Sequence, residues 1–133
     1  MTNNDFIEVL LERINGLGLL LQGSLDYLDE EEGLVLYALP GGSVIKEDMA
    51  GTQTVSLPFE LAIKTKSQEV ANTTLWKINT ALSAFDLDLP SQNDSYEFLS
   101  LEVAKPFLND RDEQGFYVYM LDVTAKIEIE RKF

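Results

Sequence analysis

The chain has 133 residues, 45% of them hydrophobic, which is enough for a single domain with a buried core. It contains neither cysteine nor histidine, which excludes disulfides, thiolate metal sites, cysteine nucleophiles and histidine-based triads. Its 23 acidic and 10 basic residues give a net charge of -13, which argues against a protein that grips a phosphate backbone.

The first predicted element is an amphipathic helix over residues 4–15. Asn3, Asn4 or Asp5 can cap it, and apolar residues then recur at helical spacing. The start of the chain lacks the basic and then apolar order of a signal peptide, and no run approaches the roughly eighteen apolar residues of a membrane span. We therefore expect a soluble protein made in the cytoplasm.

Acidic residues are concentrated in a predicted turn before Gly33, and two more stand at the end of a predicted strand, at Glu47 and Asp48. The candidates for a functional acidic surface are Asp29, Glu30, Glu31, Glu32, Glu47 and Asp48. Their order does not match an EF-hand loop, so we predict no metal site. Such a surface could line a passage through which DNA slides without sticking. The alternatives are a solvated turn and acidity that serves only solubility.

Residues 34–66 are predicted to form an antiparallel meander with one buried face. Strands are indicated at 34–39, 43–47 and 54–66, with breaks at Pro40-Gly41-Gly42 and at 49–51. The third strand alternates clearly between apolar and polar residues, which is typical of a half-buried strand.

A second helix is predicted at 67–85, with Ser67 as its N-cap and Glu69 in its first turn, where a negative charge favours the helix dipole. Its apolar stripe is expected to lie on the sheet. Trp76 sits beside this stripe, a position typical of a core edge or a subunit contact.

The last predicted unit is a C-terminal hairpin over 96–130, whose final strand covers 116–129. From Leu121 onward only one face is apolar, whereas residues 116–121 are apolar on both faces, which indicates cover on both sides. At about 3.3 Å per residue this strand would extend for about 45 Å, beyond the usual length, so we interpret its outer half as completed by another copy of the chain. The candidate self-association residues are Trp76, Tyr117, Tyr119, Ile127 and Ile129.

The element order of helix, strands, helix and strands predicts a single α+β domain over residues 1–133. We expect a mainly antiparallel or mixed sheet of about four to five strands, with two helices packed on one face.

Several short motifs carry a resemblance to a known family. They are Phe59-Glu60-Leu61, Trp76-Lys77-Ile78, Ser95-Tyr96-Glu97-Phe98, Pro106-Phe107-Leu108 and the run from Asp112 to Tyr119. In this order, from about residue 34 to the end, the sequence resembles the small minor capsid proteins of long-tailed, siphovirus-type phages, and among them the tail terminator proteins.

The resemblance implies a virion structural protein at the head–tail junction, made in the host cytoplasm. Such proteins form rings, commonly hexamers, that cap the tail tube and offer a docking surface to the head, with DNA passing through as cargo. The implied partners are other copies of the chain, tail-tube proteins and head-connector proteins. The resemblance implies no enzyme activity, no cofactor and no membrane.

Other function classes stay open from the residues alone. An acidic binding module, acting as a DNA mimic or as an inhibitor of a basic host protein, would be a compact monomer whose affinity falls with salt. Another neck connector protein would share the acidic α+β character. A carboxylate enzyme would need two acids facing one cleft, for which Asp29, Glu31, Asp48 and Asp122 are the available residues.

Overall fold

A computed structural model describes residues 5–19, 21–25, 28, 32–84, 87–92, 96–111 and 114–130. It shows an α+β fold with two helices, α1 (Phe6–Asn15) and α2 (Gln68–Leu82). The strands are β1 (Gly23–Leu25), β2 (Gly33–Ala38), β3 (Ser43–Glu47), β4 (Thr52–Thr65), β5 (Glu97–Val103), β6 (Phe107–Arg111) and β7 (Tyr117–Glu130). The predicted fold class is confirmed, but within these described ranges the sheet has seven strands rather than four to five.

A long antiparallel ribbon of β4 and β7 forms the centre of the sheet. Both strands have 14 residues and pair throughout, from Thr52 opposite Glu130 to Thr65 opposite Tyr117. At the end that holds Thr65, the strand order is β1-β2-β4-β7-β6. Toward the end that holds Thr52, the order is β3-β4-β7-β5. We call these the β2 end and the β3 end of the sheet.

The position of β7 corrects the interpretation of its length. It is interior to the sheet, because β4 covers one of its edges while β5 and β6 share the other. The excess length is matched within the chain by β4, so it is no evidence for a second copy. Any self-association must use other edges.

Two further pairings differ from the predicted meander and hairpin. β2 and β3 do not follow each other across the sheet but lie along the same edge of β4. β1 runs parallel to β2, with Gly23 opposite Leu34, which makes the sheet mixed. β6 adds a strand within the region predicted as a C-terminal hairpin of two strands; all its residues are exposed, so they lack the alternation that reveals a strand.

Both helices pack on one face of the sheet and share a single core with it. Phe6 of α1 lies 5.4 Å from Phe59 and 5.5 Å, edge-on, from Tyr96, measured between ring centroids. Leu75 and Ile78 of α2 are fully buried in the same core. We call the face of the sheet that the helices cover the helix face, and the opposite face of the sheet the open face.

The open face is only partly covered, contrary to the expectation for residues 116–121. Val35 and Ala62 are buried there, but Val118 and Met120 of β7 remain partly exposed. Tyr119 and Leu121 alternate with them and belong to the core on the helix face.

The helix ends follow local chemistry in different ways. The Ser67 hydroxyl accepts from the Val70 N–H at 3.2 Å, as the sequence predicts for the cap of α2. Asp5 precedes α1, but its carboxylate makes no cap bond and accepts from the Ser91 hydroxyl and the Gln92 N–H instead. Asp5 thus ties α1 to the segment before β5. In the described part of the chain, no helix is long and apolar enough to cross a membrane.

Candidate functional site

The acidic candidates that the structure describes lie far apart. Asp29, Glu30 and Glu31 fall outside the described residues. Glu32 is exposed beside the β2 end, where its Oε2 accepts from the Thr65 hydroxyl at 2.7 Å. Glu47 and Asp48 are exposed at the β3 end. Because β4 spans the distance between them, about 40 Å at roughly 3.3 Å per residue, they do not form one cluster with Glu32.

Asp48 has a structural task in the hairpin between β3 and β4. Its Oδ1 accepts from the N–H groups of Ala50 at 2.9 Å and Thr52 at 3.0 Å. The turn therefore depends on this carboxylate, which is the usual role of an aspartate that satisfies nearby backbone donors.

The self-association candidates differ in accessibility. Trp76 on α2 is 44% exposed and available to a partner. Tyr119 and Ile127 are buried in the core of the protomer, so their side chains already have internal contacts. Tyr117 and Ile129 are partly buried, and the Tyr117 ring lies 5.4 Å from the Arg111 guanidinium carbon.

A carboxylate pair that sequence reasoning missed lies on the open face at the middle of the ribbon. Glu60 of β4 faces Asp122 of β7 directly, and Tyr37 of β2 donates its hydroxyl hydrogen bond to Glu60 Oε1. Sequence reasoning considered Asp122 as one of four acids available to a carboxylate enzyme, but Glu60 was not among them. The pairing has no local sequence signature, because it arises from the register of three strands.

The pair changes the ionisation of Glu60. Burial, together with the hydrogen bond to Asp122, raises the pKa of Glu60 above its ordinary value, and the Tyr37 hydrogen bond opposes this in part. Asp122 Oδ1 is buried and has no hydrogen-bond partner. A proton on Glu60 is therefore held more tightly than on an exposed glutamate, because an adjacent negative charge disfavours its ionised form.

The surroundings offer little for catalysis or metal binding. Among the described residues, no group of three or more acids is placed to hold a metal ion. One groove, of about 410 Å³, lies between α1 and residues 88–92, and neither Glu60 nor Asp122 lines it. Gln92 crosses this groove to donate to Glu12 Oε2 at 2.7 Å. Neither this groove nor the smaller one lined by Leu82 and Phe98 includes the carboxylate pair.

Exposed large apolar residues lie at both ends of the sheet, with Leu25, Phe107 and Leu108 at the β2 end and a second group at the β3 end. Every residue of β3 is exposed, including Val44 at 51% and Ile45 at 54%. Met49, in the turn after β3, is fully exposed, and Leu99 of β5 is 44% exposed. Large apolar side chains at sheet edges are typical of surfaces that meet another protein.

Comparison with known proteins supports an assembly role. Residues 13–129 match a sequence family described as bacteriophage tail terminator protein. The matched region contains the end of α1, all of α2 and nearly all of β7. No curated protein matches the chain. Because the match covers nearly the whole chain, this protein belongs to the bacteriophage tail terminator family.

Proposed function

We propose that this protein forms a ring at the end of the phage tail, closes the tail tube and offers the head its docking surface. The observation that carries the proposal is the family match over residues 13–129. The chemistry of the chain agrees with it, because cysteine and histidine are absent and the described acids form no multi-carboxylate metal cluster.

The mechanism is geometric. Copies associate side by side through exposed sheet edges and exposed helix surface, where Trp76 is the largest accessible side chain on α2. Once the ring occupies the end of the tube, the surface that the next tube subunit needs is covered and elongation stops. The opposite side of the ring then meets the head connector.

The acidic surface serves the passage of DNA. A channel parallel to the central ribbon would have Glu32 toward one mouth and Glu47 and Asp48 toward the other, with Asp29, Glu30 and Glu31 near Glu32 in sequence. Negative walls repel phosphates, whereas a basic lumen would bind them and slow the passage.

Electron microscopy of the purified protein tests the proposal, first alone at high concentration and then with polymerised tail-tube subunits. We expect rings with an opening wide enough for duplex DNA, and tubes that carry one ring at one end and stop growing. A protein that stays monomeric in both conditions and leaves tube growth unchanged would overturn the proposal. If it instead captured a basic host protein in a salt-sensitive way, the acidic binding module would replace it.

A further inference from the structure

The two outer strands of the β3 end, β3 and β5, are arranged so that one copy can continue into the next. Among the described residues, β3 pairs with β4 alone and β5 with β7 alone. All pairs in the order β3-β4-β7-β5 are antiparallel. If β3 of a second copy lies beside β5, the alternation of strand directions continues and both helix faces stay on the same side.

The backbone groups of both edges point outward at matching positions. Thr52 and Pro58 of β4 accept from Asp48 and Leu39, so the even residues of β4 direct their backbone groups toward β3 and β2. The backbone N–H and C=O of Val55 are therefore directed toward β7. Val44 faces Val55, so the N–H and C=O of Val44 are directed to the free edge of β3.

The same alternation applies on the β5 side. Asp122 O accepts from the Ala104 N–H, so the even residues of β7 direct their backbone groups toward β5. The backbone N–H and C=O of Ile127 are directed away from β5. Phe98 faces Ile127, so the N–H and C=O of Phe98 are directed to the free edge of β5. Val44 and Phe98 lie in one row across the sheet, because Val44, Val55, Ile127 and Phe98 are successive partners.

The side chains of the two edges are complementary row by row. Lys46 and Glu97 share the row through Thr54 and Glu128, and they lie on the open face with opposite charges. In the next row Val44 and Phe98 are both apolar. Ser43 and Ser100 share the third row, through Ser56 and Lys126.

We propose that β5 of one copy pairs antiparallel with β3 of the next, with Phe98 opposite Val44 and Glu97 beside Lys46. This inference rests on the proposed function, whose ring contact it specifies. We take the strand that pairs with each free edge to come from a second copy of this chain, because Lys46 on one edge and Glu97 on the other have opposite charges at the same row. This complementarity occurs although the whole chain has a net charge of -13. The contact joins two different edges, so copies add head to tail. They form a closed ring when the rotation from one copy to the next is a whole fraction of a full turn.

Two irregular positions fit the same interface. The register shifts at Ile45 in β3 and at Leu99 in β5, and both residues are exposed apolar side chains. Charged residues and β-bulges can keep edge strands from pairing, and both occur in β3 and β5, but exposed apolar side chains such as Ile45 and Leu99 are not among these protective features. Apolar bulge residues on both edges would be covered by the junction.

An engineered disulfide tests the pairing directly. The chain has no native cysteine, and Ser43 and Ser100 are both exposed. In one protomer they are separated by three strand spacings, about 14 Å, too far for a disulfide, but in the junction their Cα atoms would be about 5 Å apart. We expect S43C/S100C, oxidised at high concentration alone and on tail tubes, to give a ladder of covalent multimers.

Single and displaced cysteines are the matched controls. S43C alone and S100C alone should stay uncrosslinked, because each faces the other residue in the junction. S24C/S100C moves one cysteine to the exposed Ser24 of β1, at the other end of the sheet, and should also give no ladder. Efficient dimers of S43C alone would overturn the proposal in favour of a symmetric β3–β3 contact.

Charge reversal gives an independent readout. We expect K46E and E97K each to weaken association about three- to tenfold per contact, and K46E/E97K to recover most of it, measured by sedimentation. K77E and E8K make the same charge changes at exposed helix positions and should show no mutual rescue. Rings without the ladder or the rescue would overturn the edge pairing and leave the proposed function standing. Monomers under every condition would overturn both.

Discussion

Single residues matter most where three strands bring acidic and phenolic groups together on the open face. Tyr37, Glu60 and Asp122 come from β2, β4 and β7, so their contact depends on the register of the central ribbon. Partial burial and the neighbouring Asp122 raise the pKa of Glu60, so its ionisation is more costly than that of an exposed glutamate. The pair therefore links the stability of the fold to pH.

This linkage has a definite sign. Because the pKa of Glu60 is raised in the folded state, its contribution to stability is fully present below about 4.5, the unfolded value, and is lost as pH rises through the folded pKa. Glu60→Gln keeps the hydrogen-bonding shape but stays neutral. We expect its urea midpoint to rise relative to the wild type as pH increases from 4 to 7.

Glu8→Gln is the control for Glu60→Gln, since it removes an exposed carboxylate on α1. The control should not show the same growing difference with pH. Equal pH dependence of the wild type, Glu60→Gln and Glu8→Gln would contradict the raised pKa of Glu60.

Among the elements, α2 shows how local chemistry and packing combine. Its N-cap bond comes from Ser67, and its buried side is carried by residues such as Leu75 and Ile78. At its exposed side, Asn79 donates to the Ala104 carbonyl at 2.7 Å, which attaches the helix to the connector after β5. The helix therefore holds β5 in place as well as covering the ribbon.

Removal of the cap should weaken this helix measurably. We expect Ser67→Ala to lower the free energy of unfolding by about 0.5–2 kcal/mol, because the Val70 N–H loses its acceptor. Thr73→Ala, at an exposed position inside α2, is the matched control and should leave stability unchanged or slightly higher. Chemical denaturation of both variants checks the difference, and a Ser67→Ala variant as stable as Thr73→Ala would refute the role of the cap.

At the scale of the whole molecule, net charge opposes assembly while the sheet edges favour it. Each added copy brings a charge of -13 close to its neighbours. One complementary row at Lys46 and Glu97 cannot cancel repulsion summed over the whole surface. Assembly therefore depends on backbone pairing and apolar contact, with salt as the variable that sets the repulsion.

We therefore expect self-association to strengthen as the salt concentration rises from about 10 to 100 mM, because the screening length falls from about 30 to about 10 Å. Lys77→Glu lowers the net charge by two and should be more sensitive to salt, whereas Glu8→Lys raises it by two and should be less sensitive. Analytical ultracentrifugation measures this. Association that weakens steadily with salt would show that ion pairs rather than repulsion dominate.

The local sequence pattern was sufficient to predict the helices and strands that have one buried and one exposed face. Alternation in β4 and β7 and the helical spacing in α1 and α2 placed these elements within a few residues of their observed bounds. Ser67 was identifiable as a cap because that bond spans only three residues. The sequence pattern did not predict the short strands β1 and β6, because neither has a buried face that would give a periodic alternation of apolar and polar residues.

By itself, the sequence determined the α+β class, the acidic character, the absence of thiol and imidazole chemistry and the resemblance to tail terminators. Only the tertiary structure decided that β7 is interior, that Glu60 faces Asp122 and that β3 and β5 are the open edges of one end. The reason is that periodicity reports which face of a strand is buried. Which strand lies beside which is set by hydrogen bonds between distant residues, and these leave no mark on the local pattern.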